Sequence, residues 1–287
     1  MRQGRVSGQV FAIWVNPKGI APDDYAAFVH RTIDASDFLF RDAAADLCLA
    51  RTPDEFRQVV SSGRIAAILG VEGGHALEGR LENLERFYGR GVRVFTVTWC
   101  NSNDLADSSS DKNQPHGGLS ALGREAVKLM NRHGMIIDVS HAAKSSVLQI
   151  AELSSAPVIA SHSGIKALRD FNRNLSDDEI KAIAEGGGVI GVVFLPYFLK
   201  EPEAQASVDD VINCIDHVCQ LVGTDHAALG SDFDGFEGSL PGLEDVSKMP
   251  AIESGIRTRG YSEPDIKKIL GLNFLRVWDA VHSARRH

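Results

Sequence analysis

The sequence predicts an α/β fold built on a parallel sheet, of the (β/α)8 barrel class and one strand short of eight. Three observations carry this. Short, nearly continuous apolar runs alternate with longer helical patterns along all 287 residues, as expected for parallel strands buried on both faces. No glycine-rich phosphate loop follows an early strand, which argues against a doubly wound sheet; Gly70-Val-Glu-Gly-Gly-His is not that pattern. The polar residues capable of chemistry sit just after the strands, where an α/β barrel opens its active face.

Taken in order, the strands are expected at Val10–Val15, Ile65–Gly70, Val92–Thr98, Met135–Val139, Val158–Ala160, Val189–Phe194 and Ala227–Gly230. Helical patterns fill the gaps: Pro22–Leu49, Pro53–Ser62, Leu81–Tyr88, Ser120–His133, Lys144–Leu153, Ser176–Glu185, Val208–Val222 and Glu263–Ala280. Ser176-Asp-Asp-Glu179 reads as a capping box, and Ser262-Glu-Pro-Asp265 puts proline and acids in a first turn. No linker or repeat divides the chain, so a single domain over residues 1–287 is expected.

The formal net charge of −8 argues against nucleic acid as a partner, because phosphate binding needs a basic surface. No apolar run approaches the roughly 18 residues that span a bilayer, and the start of the chain lacks the features of a secretory signal. The four cysteines form no CxxC pair and read as reduced thiols of a cytoplasmic protein.

Glu72, Trp99, Asn101, His141, His162, Asp232 and Asp234 all fall at or just beyond predicted strand ends. Any one of them has a bland structural reading: a lone histidine there is more often hydrogen-bonded than metal-bound, and a lone acid caps a helix. Their recurrence at successive strand ends favours convergence in one mouth. Glu, His, His and Asp together suit Zn²⁺ or a similar divalent ion with an open position for water. Such an ion activates water, and a carboxylate outside the ligand set moves protons. The implied chemistry is hydrolysis of an amide, ester or similar bond. His75 reads as a support for the loop after Glu72. His30, His217, His282 and His287 read as helical or terminal residues.

At these residues the chain resembles the membrane (renal) dipeptidase family of zinc peptidases. The anchors are Gly70-Val-Glu-Gly-Gly-His, Asp138-Val-Ser-His, Ala156-Pro-Val-Ile-Ala-Ser-His-Ser, Arg173-Asn, Ser231-Asp-Phe-Asp-Gly and Gly242-Leu-Glu-Asp-Val-Ser-Lys. The resemblance runs from about Gly8 to Ala280. It implies a metal-dependent hydrolase of the TIM-barrel type with two zinc ions bridged by a glutamate. Glu72 aligns with that bridge, and His141 and His162 align with the histidines of one zinc site. Arg173, by itself a solvated surface charge, aligns with the arginine that holds the substrate's terminal carboxylate. Asp232 aligns with the proton-moving carboxylate, whereas Asp234 reads as a loop-structuring residue. The implied substrates are dipeptides, some with a C-terminal D-residue, and a homodimer is implied over a monomer.

Two departures stand out. Trp99 occupies a position where the animal enzymes carry a substrate-contacting histidine, an exchange that bears on substrate choice. The family also opens with a strand carrying His-x-Asp, which supplies two ligands to the other zinc; this chain has no His-x-Asp and begins at what resembles the family's second strand. Three readings stay open: a dipeptidase whose N-terminal segment is not in this sequence, a short form with one metal at Glu72, His141 and His162, or an inactive relative that binds a peptide or partner. An exposed sheet edge is an aggregation liability, so the isolated chain is expected to be unstable or rearranged at its first strand.

Overall fold

A computed structural model describes residues 1–285; His287 lies outside the described residues. The chain forms two compact units, one of Ser7–Ala156 with the chain's last residues from Trp278, the other of Met1–Val6 with Pro157–Val277.

The first unit holds five parallel strands: β1 (Gly8–Trp14), β2 (Leu47–Leu49), β3 (Ile65–Glu72), β4 (Val92–Thr96) and β5 (Ile136–Asp138). They run in the order β1-β3-β4-β5, with β2 paired to the start of β3. β3 is buried from Ile65 through Val71 and β4 along its whole length, which is why both read as unbroken apolar runs rather than alternating ones. β1 is mostly half-exposed, as befits the edge of this sheet. It pairs with β3 over all seven residues, from Gly8↔Ala66 to Trp14↔Glu72.

Helices α1 (Tyr25–Asp42), α2 (Pro53–Ser61), α3 (Leu81–Gly89), α4 (Ala121–His133) and α5 (Lys144–Leu153) belong to this unit. Their ends follow local chemistry. Thr52 caps α2 by accepting from the Glu55 amide, with Pro53 in the first turn. Ser120 caps α4 at the Gly123 amide, and Gly134 closes it at φ 71°.

The second unit holds parallel strands β6 (Ile159–Ser163), β7 (Val189–Val192) and β8 (Ala227–Leu229), in that order. Helices α6 (Asp177–Glu185), α7 (Pro196–Leu199), α8 (Val208–Val222), α9 (Pro250–Thr258) and α10 (Glu263–Lys267) follow. Ser176 with Glu179, and Ser207 with Asp210, form reciprocal capping boxes.

Three sequence expectations need correction. The helix expected over Pro22–Leu49 ends at Asp42, and Leu47–Leu49 is a strand. Alanines 43–45 prolong the helical pattern, but Leu47–Leu49 pairs in register with Ile65–Ala67, so tertiary pairing overrides propensity. Among the described residues that strand raises the count from seven to eight. The helix expected over Glu263–Ala280 is interrupted at residues 268–272, where Gly271 leaves the helical conformation and α11 (Asn273–Ala284) then begins. Finally, Glu72 and His162 lie inside their strands rather than beyond them.

The second sheet is packed tightly enough that two glycines are obligatory. A Cβ on Gly191 would lie 2.1 Å from the Ser161 carbonyl oxygen, and one on Gly230 would lie 1.9 Å from the same atom. Backbone cannot swing aside as a side-chain end can. Gly230→Ala is therefore expected to destabilise the protein by about 1–3 kcal/mol or more, read as a lower midpoint in urea unfolding.

Among the described residues no helix is long and apolar enough to cross a membrane. No disulfide joins the four cysteines.

Candidate metal centre

In the first unit the site begins at the C-terminal end of β3. The Gly73 and Gly74 amides donate to the carbonyls of Thr96 and Val97 at 3.1 and 3.2 Å, continuing the pairing of β3 with β4 past Glu72. Gly73 adopts φ 103°, and a Cβ on Gly74 would lie 2.4 Å from the Val97 carbonyl oxygen. The two glycines after Glu72 are thus a steric requirement.

His75, in the turn that follows, is buried. Its Nε2 donates to the Val15 carbonyl at 2.9 Å, while its Nδ1 is buried with no partner. Protonating Nδ1 would bury a donor without an acceptor. Burial accordingly pushes the imidazole below its ordinary value, against smaller opposing effects of the Val15 bond and the Glu72 charge. The sign follows from linkage. The folded ring stays neutral at a pH where the unfolded chain takes up a proton, so this stability is complete above about 6.5 and is lost as pH falls through the lowered folded value. The midpoint of urea unfolding is expected to fall on acidification from about pH 7 to about pH 5, and to fall less in His75→Gln.

β5 delivers His141. Asp138, fully buried, accepts from the Thr96 hydroxyl at 2.6 Å and from the Ser140 amide at 3.0 Å. This fixes the turn that throws His141 into the left-handed region at φ 68°. The Ser109 amide donates to the His141 carbonyl at 2.8 Å, and the Ser108 hydroxyl donates to the Trp99 carbonyl at 2.6 Å. The loop after β4 therefore clamps both His141 and Trp99. The result is a close pair: His141 Nε2 lies 2.8 Å from Glu72 Oε1, with both side chains largely buried. His141 Nδ1 faces Cys100 Sγ at 3.8 Å. The Trp99 ring lies 6.5 Å from that of His141 and 5.1 Å from that of Trp14.

In the second unit, His162 sits where the pairing of β6 with β7 shifts register between Ala160 and Ser163. Such irregularities re-aim side chains beside active sites. The ring is buried, and its Nδ1 lies 2.8 Å from the Ser161 hydroxyl. Arg173 is only 6% exposed, which overturns its reading as a solvated surface charge. Its Nη2 donates to the His162 carbonyl at 3.4 Å, and the guanidinium stands 5.3 Å over the Phe198 ring. Asp232 and Asp234 are both left-handed, at φ 59° and 67°; Asp234 is exposed. A Cβ on Gly235 would lie 2.3 Å from Asp232 Oδ1, so any side chain at 235 would push the Asp232 carboxylate from its place.

The first unit thus gathers Glu72, His141 and Trp99, and the second gathers His162 with Arg173 and carries Asp232 on the loop after β8. Sequence reasoning missed Trp14, Cys100, Asp138 and Gly235 as contributors. Asp138 and Gly235 stand inside quoted motifs, Asp-Val-Ser-His and Asp-Phe-Asp-Gly, and only the fold shows what they hold. The left-handed conformations of His141 and Asp232 carry no sequence signal beyond the tolerance of these residue types, and such strain concentrates at functional sites.

A model of the membrane dipeptidase family, peptidase family M19, matches residues 1–287. Dipeptidase tcpJ of Claviceps purpurea is 35% identical over 284 residues, covering 96% of this chain and 66% of that protein. Dipeptidase verJ of Clonostachys rogersoniana is 36% identical over 291 residues, covering 98% of this chain and 74% of that protein. The chain therefore spans only about two thirds to three quarters of these relatives' lengths. Among solved structures, the probable dipeptidase PvdM from Pseudomonas aeruginosa matches with a TM-score of 0.92 at 30% identity, covering 99% of this chain and 88% of that one. A metallo peptidase from Rhodobacter sphaeroides, solved with a phosphinate mimic of the dipeptide L-Ala-D-Ala, matches with a TM-score of 0.91 at 26% identity, covering 98% and 88%. The fold class expected from the sequence, α/β of the (β/α)8 barrel type, is that of these structures. By the family match over its whole length, and by the anchors that carry it, this chain belongs to the membrane dipeptidase family, peptidase family M19.

Proposed function

We propose that this chain is a metal-dependent dipeptidase, and that Glu72, His141 and His162 hold its divalent ion, zinc by the chemistry of the donor set. The observation that carries the reading is the 2.8 Å pair of Glu72 Oε1 and His141 Nε2. It sets a carboxylate and an imidazole at a strand end, on a backbone held in a strained conformation. Both histidines engage a neighbour through Nδ1, Cys100 for His141 and Ser161 for His162, the arrangement that orients a ring for ligation through Nε2.

A divalent ion bound there would supply a Lewis acid and a water of lowered pKa. The protein's own residues do the rest. Arg173 presents a planar, buried guanidinium suited to the dipeptide's terminal carboxylate. Asp232 takes the proton of the attacking water on a carboxylate oxygen and passes it to the leaving amine. The relative solved with a mimic of L-Ala-D-Ala supports extending the substrate class to dipeptides with a C-terminal D-residue. Cys214, whose thiol burial pushes up to about 12, is inert, in keeping with the reduced cytoplasmic setting we assign; a homodimer is part of the same reading.

The test is metal content together with hydrolysis of L-Ala-L-Ala and L-Ala-D-Ala. Expected are bound zinc, turnover, loss of turnover on chelation and its return on adding zinc. Absence of turnover in zinc-loaded protein would sink the proposal.

A further inference from the structure

The first unit holds an aromatic pair beside the candidate ligands that the proposed chemistry does not use. Trp14 ends β1 and stands in register with Glu72 across the parallel pair of β1 and β3. Its indole packs on Trp99 with ring centroids 5.1 Å apart and planes tilted by 51°. Trp99 in turn lies 6.5 Å from the His141 ring. Yet Trp14 remains 39% exposed. Beside the candidate ligands, that exposed face offers a wide apolar surface to whatever occupies the site. Trp99 is anchored for such a role, since its carbonyl is gripped by Ser108 and its loop is tied to His141.

We infer that Trp14 and Trp99 form an aromatic subsite, flanking Glu72 and His141, that selects dipeptides bearing one aromatic or large aliphatic side chain. This deepens the function proposed above and rests on it. Two indoles offer a wide apolar face with two χ angles each to fix, so little conformational entropy is lost on binding. A substrate methyl group covers almost none of that face, whereas a benzyl or isobutyl group covers much of it. Neither indole touches the reacting bond in this scheme; both are specificity residues.

The experiment compares kcat/KM for Ala-Ala, Phe-Ala and Ala-Phe in the wild type, Trp14→Ala and Trp14→Phe. Expected is a wild-type preference for one phenylalanyl substrate over Ala-Ala. Trp14→Ala should cost that substrate about tenfold, through KM, with Ala-Ala changed less than about twofold. Trp14→Phe should restore most of the loss. Equal loss on all three substrates, or no loss on either phenylalanyl substrate, overturns the subsite. Binding is read separately by quenching of tryptophan fluorescence with a phosphinate dipeptide mimic carrying a benzyl group. Quenching that weakens in Trp14→Ala, in protein that hydrolyses nothing, would keep the subsite and reject the dipeptidase reading. Hydrolysis with unaltered quenching would do the reverse.

Discussion

His141→Asn is expected to abolish metal binding and lower kcat/KM for dipeptides by about 10³-fold, while the protein stays folded. The choice of asparagine matters. His141 occupies the left-handed region at φ 68°, and alanine there would add backbone strain to the lost ligand. Asparagine tolerates that conformation, so the imidazole alone is removed. The Ser109 bond to the residue 141 carbonyl survives because it is a backbone contact. What disappears is the Nε2 partner of Glu72 at 2.8 Å. Several kcal/mol of transition-state stabilisation from a Lewis acid correspond to the stated loss. Zinc content by elemental analysis, kcat/KM and the melting temperature check it together. Unchanged zinc content would remove His141 from the ligand set. A melting temperature lowered by much more than about 4 °C would show that the side chain mainly holds the fold.

The second large effect is expected from a residue that makes no chemical contribution. Gly235→Ala should cut kcat about 10²-fold, the lower range for loss of a positioned general acid or base, with a small change in stability. A Cβ at position 235 would fall 2.3 Å from Asp232 Oδ1 and 2.8 Å from its Cγ. A carboxylate can rotate away from such a clash, unlike the backbone oxygen that meets a Cβ on Gly230, so the fold accommodates the methyl group. Asp232 is the part that moves. Gly235 is not at positive φ, so alanine adds no backbone strain to confuse the result. The pair of kcat and melting temperature decides: full activity would show that Asp232 need not hold its present position, and collapse of stability would show that the loop cannot yield.

Much of this candidate site is legible in the sequence. Glu72, His141, His162, Arg173 and Asp232 stand in recognisable motifs, and the strand-end rule for α/β barrels is what marks residues so far apart in sequence as candidates for one chemistry. Less legible was what holds them. Asp138 reads as one more acid in a strand, yet it is the buried acceptor for Thr96 and Ser140 that shapes the turn into His141. Arg173 read alone is a surface charge, and its burial against Phe198 is a tertiary fact. The strand Leu47–Leu49 was lost in the helical pattern of the alanines before it, because three residues carry too little periodicity to be seen.

The sequence by itself determined the alternation of apolar strands with capped helices and the motifs that carry the candidate ligands. Each is a property of residue type and spacing along the chain. Only the tertiary structure decided that Trp14 stands beside Trp99, that His141 and Asp232 are held left-handed, and that Gly74, Gly191, Gly230 and Gly235 occupy places where a methyl group would collide. These depend on how closely segments distant in sequence approach in a close-packed interior, and local propensity carries no record of that distance.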